Sequence, residues 1–233
     1  MMIESFETSL KNLYENVAFD EALLEEAESN GKNYLRFWEL PSYCVVLGAS
    51  RPLTDDVYID VCKAQQISVL RRCSGGGTVL LGPGCLNYSL VLQTKRAPEL
   101  QSITTTTCYL LNQIKSALSP LLHEIAIKGT SDLTFNGLKF SGNAQRRKLN
   151  TILFHGTLLY AFNLDKVSHY LKHPPIEPEY RQKRLHGQFI SNVPLSKTTL
   201  ISALEKQFQA QKFGIPELSN MASLIKDKYH SLV

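Results

Sequence analysis

Apolar residues recur along this chain at two periods. Over 16–27 the run NVAFDEALLEEA places Val17, Leu24 and Ala27, with Phe19 and Leu23 beside them, near the 3.6-residue period of a helix. Acidic residues fill the other face. The same period predicts a longer helix over 103–118, where Ile103, Leu110, Leu111, Ile114 and Leu118 share a face and Pro120 stops it. Shorter helices are expected over 55–66 and near 164–171, and two amphipathic ones over about 197–211 and 217–229. Runs of strand length lie between them, at 34–38, 44–47, 67–72, 78–81, 86–92, 124–127, 133–135, 138–141 and 151–160. Pro41-Ser42, Gly82-Pro83-Gly84 and Asn136-Gly137 mark turns, and the last of these is a strong hairpin signal. Helices interspersed among hairpin-joined strands predict an α+β (mixed α/β) fold, not a doubly wound parallel sheet. No repeat or linker divides the chain. A single domain over 1–233 is therefore expected, with a small helical segment over about 196–233.

Composition excludes several roles. Apolar residues make up 43% and charged residues 20%, the balance of a soluble globular protein. A net charge of +4, spread out except at Gln145-Arg146-Arg147-Lys148, argues against nucleic acid as a partner. No apolar run approaches a membrane span, and the acidic start, Met1 to Glu7, lacks a signal-peptide pattern. Five cysteines without CxxC spacing predict reduced thiols in a cytoplasmic protein. There is no zinc signature, Walker loop or GxGxxG.

Three stretches carry candidate chemistry. In Arg71-Arg72-Cys73-Ser74-Gly75-Gly76-Gly77-Thr78-Val79, three glycines together cost backbone entropy. One reason to keep them is a main chain that brings bare N–H groups close to an anion, with arginines to clamp it. The other reading is a tight turn between strands with two surface arginines. In Gly129 to Arg147, GTSDLTFNGLKFSGNAQRR, Lys139 is followed by small residues that leave room for a ligand. Its ammonium suits a phosphate oxygen, although a strand lysine is more often only solvated. Asp132 could hold a metal or a ribose hydroxyl, or simply start the turn. In Phe154-His155-Gly156-Thr157-Leu158-Leu159 the histidine lies in an apolar strand, where a structural role is the commoner one. Taken together, the cations and the glycine run suit activation of a carboxylate by ATP to an acyl-adenylate. Lysine and arginine would stabilise charge building on the α-phosphate.

RRCSGGGTV resembles the RRxSGGGxV motif of the lipoate–protein ligase A family. GTSDLTFNGLKFSGNAQRR resembles that family's G-x-x-D-L…G-x-K-x-S-G-x-A segment, and FHGTLL its HGTLL strand. The NVAFDEALL helix and the LNYS strand also fit, so the matches run in order from about residue 16 to 160. The resemblance implies the catalytic-domain fold shared by biotin and lipoate ligases and, more distantly, by class II aminoacyl-tRNA synthetase cores. It implies lipoate, ATP and Mg²⁺ giving lipoyl-AMP, then acyl transfer to a lysine of a lipoyl carrier domain. The carrier would be a 2-oxoacid dehydrogenase acyltransferase subunit or the glycine cleavage H protein. By matched position, Arg72 and the Ser74, Gly75, Gly76, Gly77, Thr78, Val79 and Leu80 segment would hold the adenylate. Lys139 would be the catalytic residue, contacting the acyl carbonyl and α-phosphate. Asp132 would sit near the metal or nucleotide, and Asn87, Ser141, Gly142, Ala144 and His155 would line the site. Val46 and Tyr88 are candidates for the acyl tail.

Two departures stand out. Leu81-Gly82 occupies the place of the family's His-Asp, and no C-terminal accessory domain is recognisable; some family members obtain that domain as a separate protein. The nearest rival reading is an octanoyltransferase of the same fold. It would need a cysteine nucleophile, and none follows Cys108. A non-catalytic lipoyl- or nucleotide-binding relative is the rival from another class. The GRGRxGRxW and Trp-Pro-Asn-Asp motifs of biotin ligases are missing; Trp38 is the one tryptophan.

Overall fold

The computed structural model describes residues 2–233. Its chain begins with β1 (Ile3–Glu7), α1 (Leu13–Asn30), β2 (Asn33–Trp38), β3 (Cys44–Leu47), α2 (Leu53–Asp56), α3 (Ile59–Ala64), β4 (Ser68–Arg71), β5 (Val79–Leu81) and β6 (Cys85–Gln93). It continues through α4 (Ile103–Leu118), β7 (Ile125–Lys128), β8 (Asp132–Phe135), β9 (Leu138–Arg147), β10 (Thr151–Leu159) and α5 (Asp165–Tyr170). The last elements are α6 (His186–Phe189), α7 (Lys197–Gln207), β11 (Ala210–Lys212) and α8 (Met221–Asp227). Eight strands form one sheet in the order β11-β1-β2-β6-β10-β9-β8-β7, and β4-β3-β5 form a smaller one. The large sheet is antiparallel from β2 to β7, with parallel β1 and β11 at its other edge. This is the mixed α/β architecture that the element order predicts.

Strand periodicity determines which residues meet the site. On β6, Leu86, Tyr88, Leu90 and Leu92 face a core that includes Leu110, Leu111, Ile114 and Leu118 of α4 and Leu200 and Leu204 of α7. The alternate residues, Asn87, Ser89, Val91 and Gln93, face the side that α1 covers, because successive strand side chains point to opposite faces. Ser89 and Gln93 there bond to Asp20 and to the Ala27 carbonyl of α1. All nine β6 residues are buried, as a central strand covered on both faces must be. Helix α1 starts at Asn12, whose side chain caps the Tyr14 amide, and stops at Gly31, which takes φ +73° to bond Ala27.

Several expectations are corrected. Asp20 does not lie on a solvated acidic face; it is buried against the sheet. Ile103 is 64% exposed, and Thr106 takes its place on the buried face of α4. The helix expected over 55–66 is two short helices. The one expected over 197–211 ends at Gln207, and Ala210–Lys212 then pairs with β1. Neither β1 nor β11 was legible: both carry polar residues, and β11 pairs through its main chain at a sheet edge. The Asn136-Gly137 hairpin forms as expected, with both residues at positive φ, as a two-residue turn of this kind needs. All five cysteines are free. No helix among the described residues is long and apolar enough to cross a membrane.

Candidate active site

A cavity of about 630 Å³ lies between the α1 side of the large sheet and the small sheet. One wall is the connection between β4 and β5, which carries the three glycines. Its shape is set from both sides. The Arg72 amide donates to the Leu47 carbonyl, and the Ala49 amide to that of Ser74. Gly76 takes φ +88°, and its carbonyl lies where a Cβ on Gly48 would be, 2.1 Å from it. Gly48 is therefore glycine because the loop packs directly on it.

Both arginines of this stretch serve loops. Arg71 donates to the carbonyls of Gly48, Ala49 and Arg51. Arg72 donates to the carbonyls of Gly75 at 2.6 Å, Gly77 at 2.8 Å and Val46 at 3.3 Å, and through Nε to Ser74 Oγ at 2.9 Å. Burial draws the Arg72 guanidinium down to about 10. Through the carbonyls of Gly75 and Gly77, Arg72 holds the peptide planes that carry the amides of Gly76 and Thr78, and no acceptor among the described residues takes the amides of Gly75, Gly76, Gly77 or Thr78. Unpaired N–H groups beside a fixed positive charge can receive an anion.

Beneath the loop, strand register builds a polar row. Arg36 of β2 pairs with Ser89 of β6, Ser89 with His155 of β10, and His155 with Ala144 of β9. Asp20, from α1, bonds the first three: Arg36 Nη1 at 2.9 Å, Ser89 Oγ at 2.7 Å and His155 Nδ1 at 2.8 Å. Burial alone would raise the Asp20 carboxyl. The His155 hydrogen bond, the Arg36 charge and Ser89 outweigh it and hold the group below the usual carboxylate range. Arg36 is fully buried, with its guanidinium 4.3 Å from the Phe19 ring and 4.8 Å from that of Trp38. Burial, opposed by Asp20, lowers it to about 10.

The hairpin supplies the opposite wall. A two-against-one shift, with Leu133 opposite Ser141 and Thr134 opposite Lys139, makes a bulge that re-aims the side chains of β9. Lys139 Nζ lies 2.8 Å from Asp132 Oδ1, and 3.0 Å from where a Cβ on Gly142 would be. Tyr180 donates to the other Asp132 oxygen at 2.7 Å. Tyr180 itself is pushed up by burial and the neighbouring carboxylate, so it keeps its proton. Asn143, held by Tyr88, Ser131 and Ser141, covers Gly156 so closely that no side chain fits there.

Of the residues singled out from sequence, Arg72, Gly76, Gly77, Thr78, Val79, Leu80, Asn87, Asp132, Lys139, Ser141, Gly142, Ala144 and His155 line this one cavity, and so do Val46 and Tyr88. Ser74 and Gly75 do not; Ser74 lies fully buried behind the loop. Asp20, Trp38 and the 172–190 segment, with Arg181 and His186, were missed. A buried partner for Arg36 was inferable from an arginine inside the apolar run NYLRFW. The proline-rich segment had no period to read. Leu81 is buried on the cavity wall, and a Cβ on Gly82 would lie 2.5 Å from the Tyr43 ring, so an aspartate there would displace Tyr43. Four of the five cysteines are buried, and burial lifts the Cys73 thiol, the one on the cavity wall, to about 12. Such a thiol is not a nucleophile at neutral pH. Exposed Cys108 is on α4, outside the cavity.

The glycine loop, Lys139 and a set of apolar side chains share one cavity, and comparison with known proteins shows the family. Residues 12–213 match the family model described as the lipoyl protein ligase A/B catalytic domain, and the chain belongs to that family. It is 26% identical over 230 residues to lipoate–protein ligase 1 of Staphylococcus aureus, covering 93% of this chain and 67% of that protein. It is 32% identical over 188 residues to the octanoyltransferase LipM of Carboxydothermus hydrogenoformans, covering 72% and 68%. The chain spans about half the length of several other curated relatives, including 45% of lipoate–protein ligase LplJ of Bacillus subtilis. A bi-partite lipoate protein ligase from Thermoplasma acidophilum shares the fold, with TM-score 0.84 at 23% identity, covering 98% of this chain and 94% of that one. So does a lipoate–protein ligase A bound with ATP, with TM-score 0.79 at 24% identity, covering 98% and 95%.

Proposed function

We propose that this chain is an adenylate-forming lipoate–protein ligase. The carboxylate of lipoate attacks the α-phosphorus of ATP, pyrophosphate leaves, and lipoyl-AMP forms. A carrier lysine amine then attacks the acyl carbonyl, AMP leaves, and an amide results. The free amides of Gly76 and Thr78, whose peptide planes Arg72 holds through the carbonyls of Gly75 and Gly77, carry this reading. They are donors placed in advance for charge on a phosphoryl or carboxyl oxygen, where such donors do the most for a transition state. Lys139 is the mobile cation between the acyl carbonyl and the α-phosphate. Thr78 to Leu80, Asn87, Ser141, Gly142 and Ala144 form the walls around them. Val17, Trp38, Val46, Leu81 and Leu159 offer the acyl tail an apolar lining. Binding both reactants in line contributes through orientation.

Mg²⁺ is commonly held by one or two carboxylates together with substrate phosphates and water. Among the described residues no cluster of three acidic, histidine or cysteine side chains forms a dedicated metal site. Asp132, a single carboxylate on the cavity wall, fits the lesser role of one protein ligand to a nucleotide-borne ion. That ion would neutralise phosphate charge.

The relationship to LipM favours a second reading, octanoyl transfer through a cysteine thioester. The buried, protonated Cys73 supports it poorly. A non-catalytic relative is the third reading. Purified chain, ATP, Mg²⁺ and lipoate are expected to add one lipoyl mass to an apo lipoyl domain or H protein, read by mass spectrometry. The accessory domain, as a separate protein, is supplied in a parallel arm. No mass shift in either arm contradicts the proposal. A shift that needs an octanoyl thioester instead of ATP supports the second reading.

A further inference from the structure

We propose that Asp20, His155 and Ser74 are positioning residues. Acting through Arg72, they form a strut that keeps the glycine loop in the shape that frees its amides. The proposal rests on reading the loop as an anion cradle. The links are continuous. Asp20, held ionised, can only accept hydrogen bonds, so His155 donates to it from Nδ1 and turns Nε2 to Ser74. Ser74 Oγ shares a hydrogen bond with Nε2 at 2.6 Å and accepts one from Arg72 Nε at 2.9 Å. Arg72 then grips the carbonyls of Gly75 and Gly77. The row Arg36, Ser89, His155, Ala144 ends under the loop, where a Cβ on Gly76 would lie 3.7 Å from that of Ala144. The loop's shape is thereby tied to three central strands and α1.

In spacing the three side chains match a Ser-His-Asp catalytic triad, and the glycine amides match an oxyanion hole. Burial decides against that role. Ser74 is 0% exposed and is no part of the cavity wall. His155 and Arg72 already occupy its oxygen, so an acyl carbonyl has no approach. The hydroxyl serves as a joint between two side chains and does not attack.

The test uses the full chain and its Ser74→Ala, His155→Gln and double variants. Nitrogen-15 relaxation of Gly75 to Gly77 and hydrogen exchange of the Ala49 amide, which is bonded to the Ser74 carbonyl, report loop order without any substrate. ATP titration and kcat at saturating ATP report the consequence. Ser74→Ala is expected to lower the glycine order parameters from about 0.85 towards 0.6 or below. It should speed Ala49 exchange and weaken ATP binding by about tenfold each, the net worth of one hydrogen bond. The value of kcat should fall by less than about threefold, because Lys139 is untouched. The double variant should be no worse than His155→Gln, because both break one chain of contacts. Unchanged loop order in folded Ser74→Ala, or additive effects in the double variant, would overturn the strut. So would covalent labelling of Ser74 in the wild-type chain by a fluorophosphonate, a test that needs no variant to fold. If the wild-type chain binds no ATP, the ligase reading fails, while the relaxation and exchange results still judge the strut.

Discussion

Two of the carboxylate–cation pairs at the cavity differ in kind: Asp20 on its wall with Arg36 behind it, and Asp132 with Lys139, both on the wall. Asp20 and Arg36 have side chains 4% and 0% exposed, and Asp20 has further bonds from Ser89 and His155. Asp132 and Lys139 have side chains 11% and 29% exposed and share one further partner, Tyr180. The first pair is locked by three strands and a helix and holds the ground on which the glycine loop stands. The second involves a bulged strand and a partly exposed lysine, which in the proposed mechanism would leave its partner for a phosphate. In the mechanism proposed above, one pair would fix charge in place and the other would move it.

The largest expected effect is at the movable pair. Lys139→Ala should lower the rate of adenylate formation by about 10²–10³-fold, the usual cost of removing one donor to developing charge. Its melting temperature should stay near that of wild type. An unchanged rate would remove Lys139 from the chemistry and leave the pair without a purpose.

Stability should show the reverse order. Asp20→Ala leaves the buried Arg36 charge unpaired and should cost about 3–5 kcal/mol in denaturant unfolding. Asp132→Asn breaks a pair at the cavity rim and should cost less than about 1 kcal/mol. Equal costs would erase the distinction between the pairs.

The buried pair should also show itself in acid. The Asp20 carboxyl is held below its usual range, so its contribution to stability is complete above the unfolded value of about 3.9 and is lost as pH falls through the folded one. Wild-type stability should therefore drop below about pH 4, and Asp20→Asn should flatten that limb, as read from urea midpoints against pH. An equally steep limb in the variant would contradict this.

The movable pair was legible in the sequence because turn chemistry announces it. Asn136-Gly137 fixes the hairpin, and Lys139 and the small residues after it follow in order. The glycine run was legible for the same reason, since three glycines have few uses. The fixed pair was not. Asp20 sits in a helix whose other acids are mostly on the surface, and nothing local marks it as the one that turns inward. Only Arg36, stranded in an apolar strand, signals that a buried carboxylate must exist. Its position depends on the register of β2, β6 and β10, which hydrophobic periodicity does not specify. Arg72 was read as a ligand clamp, but the structure gives its guanidinium to loop carbonyls, a role that emerges only once the loop is folded back on it. Edge strand β11 and its neighbour β1 escaped for a simpler reason: they are short and carry mostly polar residues.

Lipoate-dependent exchange of labelled pyrophosphate into ATP tests the proposed adenylation most directly, because it needs no carrier. Exchange that appears only with lipoate present, and that falls by about 10²-fold or more in folded Lys139→Ala, is the predicted result. No exchange by the wild-type chain, with or without an accessory protein, would contradict it.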